Sequence, residues 1–285
     1  MVTRTSITGQ RLTGERAAFG AQSVDFSETI FADGESPLKH SADINAQNTV
    51  FEWKYPLWYT KGATLTDSAL LDGARSGPWY AEDLTLRRVL VAAPKTFRHS
   101  QRLVFEDVQM PQAAETLWWC DDVQMTRVLA HGDYFGLGSS HIVANDLSLT
   151  GNYAFDGAHD IEISHSTLLS KDAFWNCHDV VVRDSMIIGE YLGWNSRNLT
   201  FINCVIESLQ GMCYIENLVM RGCRLINTTL AFEYSTVDVE IEGSIDSIIN
   251  PTSGIIKADQ IGQIIMDPGC VDVAATTITT KGNTQ

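Results

Sequence analysis

Six ionisable residues, Arg98, Asp133, Asp156, Lys171, Asp172 and Glu190, recur at related distances in the middle of this chain of 285 residues. Paired carboxylates are what glycoside hydrolysis needs, one protonated as the acid and one ionised as base or nucleophile. A lysine or arginine among acids is what β-elimination from a uronic acid needs, to abstract a proton and neutralise the substrate carboxylate. Seven aromatic residues accompany them: Trp58, Trp79, Trp118, Tyr153, Trp175, Tyr191 and Trp194. Indole and phenol faces stack on the C–H faces of sugars while polar neighbours bond the hydroxyls. The two sets together point to a carbohydrate-active protein, a hydrolase or lyase on a short saccharide. The alternative is a non-catalytic binding or assembly module using the same aromatic face, as a homo-oligomer if another copy covers the rings.

A repeat must position these residues. The segment 159–168, His-Asp-Ile-Glu-Ile-Ser-His-Ser-Thr-Leu, returns in altered form at 178–187 and again at 197–206, a spacing of 19 each time. Units of about twenty residues with apolar alternation bury their inner faces only by stacking on their neighbours. A first inward column runs Val24, Ile44, Ala63, Leu84, Leu103, Val123, Ile142, Ile161, Val180, Leu199, Leu218, Val239. A second lies two residues further on, from Phe26 to Ile241, and this i, i+2 pair defines a half-buried strand.

A bend follows at Glu28, Asn48, Asp67, Arg88, Asp107, Arg127, Asp146, His165, Asp184, Asn203, Gly222 and Gly243, a column rich in residues that tolerate left-handed backbone. A small or β-branched inward residue comes next, then a third face rich in Gly, Pro and aromatics. Three short strands per turn describe an all-β, single-stranded right-handed parallel β-helix of about twelve coils with 19–21 residues each. One domain spans 1–285: a cap coil at 1–20, regular coils over 21–250, and an irregular closing segment at 251–285 ending in a frayed tail from Thr276.

On the third face, alternation turns Phe155, Phe174 and Met212 inward and sends the next residue out. That outward stripe reads Lys39, Trp58, Trp79, Arg98, Trp118, Leu137, Asp156, Trp175, Trp194, Cys213, Glu233, an exposed wall of indoles with charges between them. Neighbouring coils also bring charges within about 5 Å by geometry alone, so the same acids and bases read equally as a solvated, ion-paired surface.

The formal net charge of −15 disfavours nucleic acid and anionic membranes as partners, and no stretch is long and apolar enough to span a bilayer. Residues 1–20 hold no apolar run of the kind a signal peptide needs, so no export signal is expected there. No metal-ligand spacing occurs and no cofactor is implied; His159 and His178 occupy equivalent turn positions and record the repeat. Cys204 and Cys223 read as core thiols, and a reducing cytoplasmic compartment fits six cysteines without a CxxC pair.

The strings Gly34-Glu35-Ser36-Pro37-Leu38-Lys39, Trp53-Lys54-Tyr55-Pro56-Leu57-Trp58-Tyr59, Ala93-Pro94-Lys95-Thr96-Phe97-Arg98, 170–177, 189–196 and Leu230-Ala231-Phe232-Glu233-Tyr234-Ser235 resemble the bacterial domain-of-unknown-function family 3737, over residues 13–268. That family is similar to pectin-lyase-like right-handed β-helices, which implies the fold and supplies no catalytic residues. The Asn-Thr-Asp, Asp-Asp and Gly-His-Gly set of polygalacturonases and the acidic calcium cluster of pectate lyases are missing from the sequence.

Overall fold

Apolar alternation at the start of each repeat produces the first strand of each turn. In the computed structural model, which describes residues 4–281, 283 and 284, Ile161 pairs in parallel with Val180, Val180 with Leu199 and Leu199 with Leu218. Two residues on, Ile163, Val182, Phe201 and Met220 repeat the pattern, and all eight side chains are buried. The chain is an all-β parallel solenoid of about 15 turns.

It divides into two compact units, Met1–Leu149 and Thr150–Gln285. In the first, Val24, Ile44, Ala63, Leu84, Leu103 and Val123 stack in register. Phenylalanines fill the interior there, with Phe31 and Phe51 rings stacked at 4.9 Å. In the second, Phe155 and Phe174 stack at 5.6 Å. Each buried ring stabilises by about 2–3 kcal/mol.

Every residue of the bend column is left-handed, from Glu28 (φ 52°) through Asp67 (49°) and Arg88 (52°) to Asp184 (49°) and Gly243 (89°). Arginine is an unusual choice for that backbone. Here its cost is offset by ion pairs between turns: Arg88 grips Asp67 with two hydrogen bonds of 2.7 and 2.9 Å, and Arg127 holds Asp107 in the same way. At another corner, where the backbone turns away from its neighbour, a hydroxyl takes the donor. Ser139 accepts from the Cys120 N–H at 2.8 Å and Ser196 from the Cys177 N–H at 2.9 Å, which keeps buried polar groups satisfied.

Both ends carry further strands. The strand Thr5–Thr8 pairs in register with Val24–Ser27, within the segment expected as the cap coil. At the other end, Ser253–Ile265 pairs along nearly its whole length with Thr236–Ile249, and Thr276–Thr280 adds a further strand instead of fraying. These turns account for the excess over the expected twelve. Val237, not Val239, stands over Leu218, two residues before the expected position, and the register shifts only beyond Met220; Val237 and Val239 are both buried, so alternation alone does not separate them. Residues 1–3 of the expected cap, and 282 and 285 of the expected tail, lie outside the described residues.

Candidate functional site

The aromatic stripe takes two different forms, one in each unit. In Met1–Leu149 it is a closed stack. Trp58 and Trp79 lie face to face at 5.3 Å and 11°, Lys39 caps Trp58 at 5.4 Å, and the Arg98 guanidinium lies over both Trp79 (5.1 Å) and Trp118 (4.0 Å). Each indole N–H donates to a backbone carbonyl on the following turn: Trp58 to Ser76, Trp79 to Lys95, Trp118 to Tyr134. Arg98 is also bound to Glu115 at 2.6 Å, its side chain only 12% exposed.

Trp58, Trp79 and Trp118 are half-buried, each with a ring or cation over one face and its N–H bonded to backbone; the Trp175 N–H is bonded in the same way, to the Tyr191 carbonyl at 2.9 Å. Arg98 is a clamp between two indoles and no free base. Asp133 sits exposed on the same unit, its backbone carbonyl accepting from the Glu115 N–H.

One residue beyond the stripe runs a ladder that the sequence reading missed. His40, Tyr59, Tyr80, His99 and Trp119 stack face to face at 4.8–5.1 Å, each in left-handed backbone. The signal was present as an aromatic following each stripe residue, but alternation alone assigns such residues no common direction.

In Thr150–Gln285 the stripe is open. Trp175 and Trp194 lie 6.2 Å apart and tilt by 35°, Tyr153 stands at 89° to Trp175, and Tyr191 at 84° to Trp194. The rings frame a concavity of about 430 Å³ lined by Tyr153, Lys171, Asp172, Trp175, Tyr191, Trp194 and Gln210. Four of its lining residues come from one column of the repeat. Tyr153, Asp172, Tyr191 and Gln210 occupy equivalent positions on successive turns, each N–H donating to the carbonyl 18 or 19 residues on. Asp172 stands where the turns on either side carry the phenols of Tyr153 and Tyr191. Gln210 was absent from the expected site, although the column that holds Asp172 leads directly to it.

Asp172 is 1% exposed, and its Oδ1 has no hydrogen-bond partner. Burial pushes its carboxyl above the usual range, with the charges of Glu190 and Asp156 adding to the rise; Lys171 and a hydrogen bond from the Tyr153 hydroxyl oppose it. Lys171 meets Glu190 at 3.3 Å, and that bond holds the ammonium above its ordinary value. The Lys171 Nζ also lies 5.2 Å over the Tyr191 ring. Gly189 lets the two turns approach this closely, because a Cβ there would stand 1.9 Å from the Ser170 carbonyl oxygen.

Asp156 does not line the concavity. Its carboxylate accepts from the Asn176 amide at 2.8 Å, and Asn176 accepts from Asn195 at 2.8 Å, an amide ladder along the neighbouring corner. Cys213, expected outward, is wholly buried. His159 and His178 stack at 4.6 Å, each bonded to the aspartate that follows it. Among the described residues no cluster of three or more His, Cys, Asp or Glu could hold a metal ion, and no helix is long and apolar enough to cross a membrane.

Fold and geometry together define a parallel β-solenoid with an aromatic-walled slot, lined also by Lys171, Asp172 and Gln210, on its Thr150–Gln285 unit. The chain belongs to the family described as "Protein of unknown function (DUF3737)", whose model matches residues 5–279. No curated protein matches it. Among solved structures, the A-module of mannuronan C-5 epimerase AlgE4 from Azotobacter vinelandii is 10% identical, with 97% of this chain and 91% of that one covered at a TM-score of 0.31. A mutant tailspike protein of E. coli bacteriophage HK620, in complex with a hexasaccharide, is 9% identical over 93% of this chain and 69% of that one, TM-score 0.41. QnrB1, a plasmid-mediated fluoroquinolone resistance protein, is 9% identical over 79% and 91%, TM-score 0.28. These remote likenesses carry no residue role across to this chain.

Proposed function

We propose that this protein binds a short saccharide in the slot between Tyr153, Trp175, Tyr191 and Trp194, with Asp172, Gln210 and the Lys171–Glu190 pair supplying polar contacts. The observation that carries the reading is Asp172 itself: a buried carboxyl with an unpartnered oxygen, standing where a ring is missing, among rings tilted apart. Such a site holds a flat apolar ring face and asks for a hydrogen bond at its floor.

Binding without turnover accounts for the slot better than catalysis does. Hydrolysis would need a second free carboxylate beside Asp172, and Glu190 is engaged with Lys171 while Asp156 is engaged with Asn176. Elimination would need a deprotonated base, and Lys171 is held protonated by Glu190. Five buried free thiols support a reducing, cytoplasmic compartment.

Titration of tryptophan fluorescence with a panel of mono- and disaccharides tests the reading. We expect a saturable change that Trp175→Ala weakens at least about tenfold, the size of a central aromatic contact, and no release of reducing ends or unsaturated uronates. A response unchanged in Trp175→Ala would place binding elsewhere, and sugar turnover abolished by Asp172→Asn would restore the enzymatic reading.

A further inference from the structure

We propose that the saccharide this slot selects carries a protonated amino group, whose ammonium enters between the rings and bonds the unpartnered oxygen of Asp172; the inference rests on the saccharide reading above. Three observations lead to it. Four electron-rich rings line one concavity, Tyr153 nearly perpendicular to Trp175 and Tyr191 nearly perpendicular to Trp194. Ring faces attract cations within about 6 Å of their centroids, and several rings together form the usual cage for an organic ammonium.

The floor is a carboxylate oxygen with no partner, in a side chain 1% exposed. A buried carboxylate left with one acceptor unmet is costly, and a cationic donor removes that cost where a neutral hydroxyl does so only in part.

The surrounding charges exclude the other choice. Glu190 and Asp156 both act on Asp172 as negative neighbours. The one cation lining the slot, Lys171, is neutralised by Glu190 at 3.3 Å while lying over Tyr191. A uronate would meet the Asp172 carboxyl, with Glu190 and Asp156 as further negative neighbours of that carboxyl, and no uncommitted base. An amino sugar meets acids, ring faces and a waiting acceptor. Burial holds the Asp172 carboxyl up when the slot is empty, and an ammonium beside it would bring it down, so binding expels a proton whenever that carboxyl is protonated.

Calorimetric titration of the full chain with glucosamine, glucose, N-acetylglucosamine, glucuronate and choline near neutral pH tests this. Glucosamine should bind at least about tenfold more tightly than glucose or N-acetylglucosamine, with glucuronate weakest. In Asp172→Asn, a near-isosteric change that left-handed backbone accepts, glucosamine should lose more affinity than glucose, so that the preference for glucosamine vanishes. Glucose or N-acetylglucosamine binding as well as glucosamine, or a preference that survives in Asp172→Asn, overturns the amino-group selection and leaves the saccharide reading standing. Silence from every sugar, with or without choline binding, overturns both.

Discussion

Asp172 is the residue on which the site turns, and its backbone agrees with its side chain: φ is 59°, a region Asp and Asn tolerate better than most residues. Tyrosines take the same backbone at Tyr153 and Tyr191, at 58° each, so conformation did not require an acid at this turn. Because burial raises the Asp172 carboxyl, the native state keeps a proton that the unfolded chain releases. Stability contributed there falls as pH rises from the ordinary carboxylate range, near 4, through the raised native value. Asp172→Asn removes the titration. Its melting temperature should exceed that of the wild type at neutral pH, by about 2–4 °C for each kcal/mol relieved, and match it in strong acid. A thermal scan across pH checks this; an Asn variant less stable at neutral pH would mean that the charged carboxylate is already compensated in the empty protein.

The elements of the Met1–Leu149 unit are held by ladders of ion pairs with opposite pH dependence to Asp172. Hydrogen bonds from arginines keep Asp67, Asp83 and Asp107 below the usual carboxylate range. Their contribution is present above the unfolded value and is lost as pH falls through the lowered native one. Salt screens such exposed pairs, so each is modest. The Arg98 clamp is different because it is shielded: its loss in Arg98→Met removes two ring contacts and the bond to Glu115, about 2–3 kcal/mol by chemical denaturation. Saccharide binding should be unchanged in that variant, since Arg98 lies in the unit that lacks the slot. Gly189→Ala should act the other way, moving Lys171 and Glu190 apart with a loss of ligand affinity, because its Cβ has no room against Ser170.

Much of the solenoid was legible in the sequence. The inward columns through 161, 180, 199 and 218 and the left-handed bends at 67, 88, 107 and 184 follow from alternation and from Asp, Asn and Gly recurring at one place in the repeat. Six of the residues proposed from sequence, Tyr153, Lys171, Asp172, Trp175, Tyr191 and Trp194, line one concavity. What alternation could not disclose is how far neighbouring rings tilt. The same Trp column is a closed stack at Trp58 and Trp79, at 11°, and an open frame at Trp175 and Trp194, at 35°. The difference depends on what sits beside the rings, a guanidinium in one unit and an aspartate without a ring in the other. Nor could alternation choose between Val237 and Val239 over Leu218, since both valines are buried.

At the scale of the whole molecule, a chain with net charge −15 carries an acidic surface on which a cationic or neutral ligand is electrostatically favoured over an anionic one. The central claim is that the second unit's slot is the place where a sugar binds. Crystals soaked with glucosamine and, separately, with glucose measure this most directly. We predict a pyranose ring against Trp175 and Trp194 with a polar atom within hydrogen-bond distance of Asp172 Oδ1. A sugar lying on the Trp58–Trp79 stack, or a slot left without sugar while the protein binds it in solution, would contradict the account.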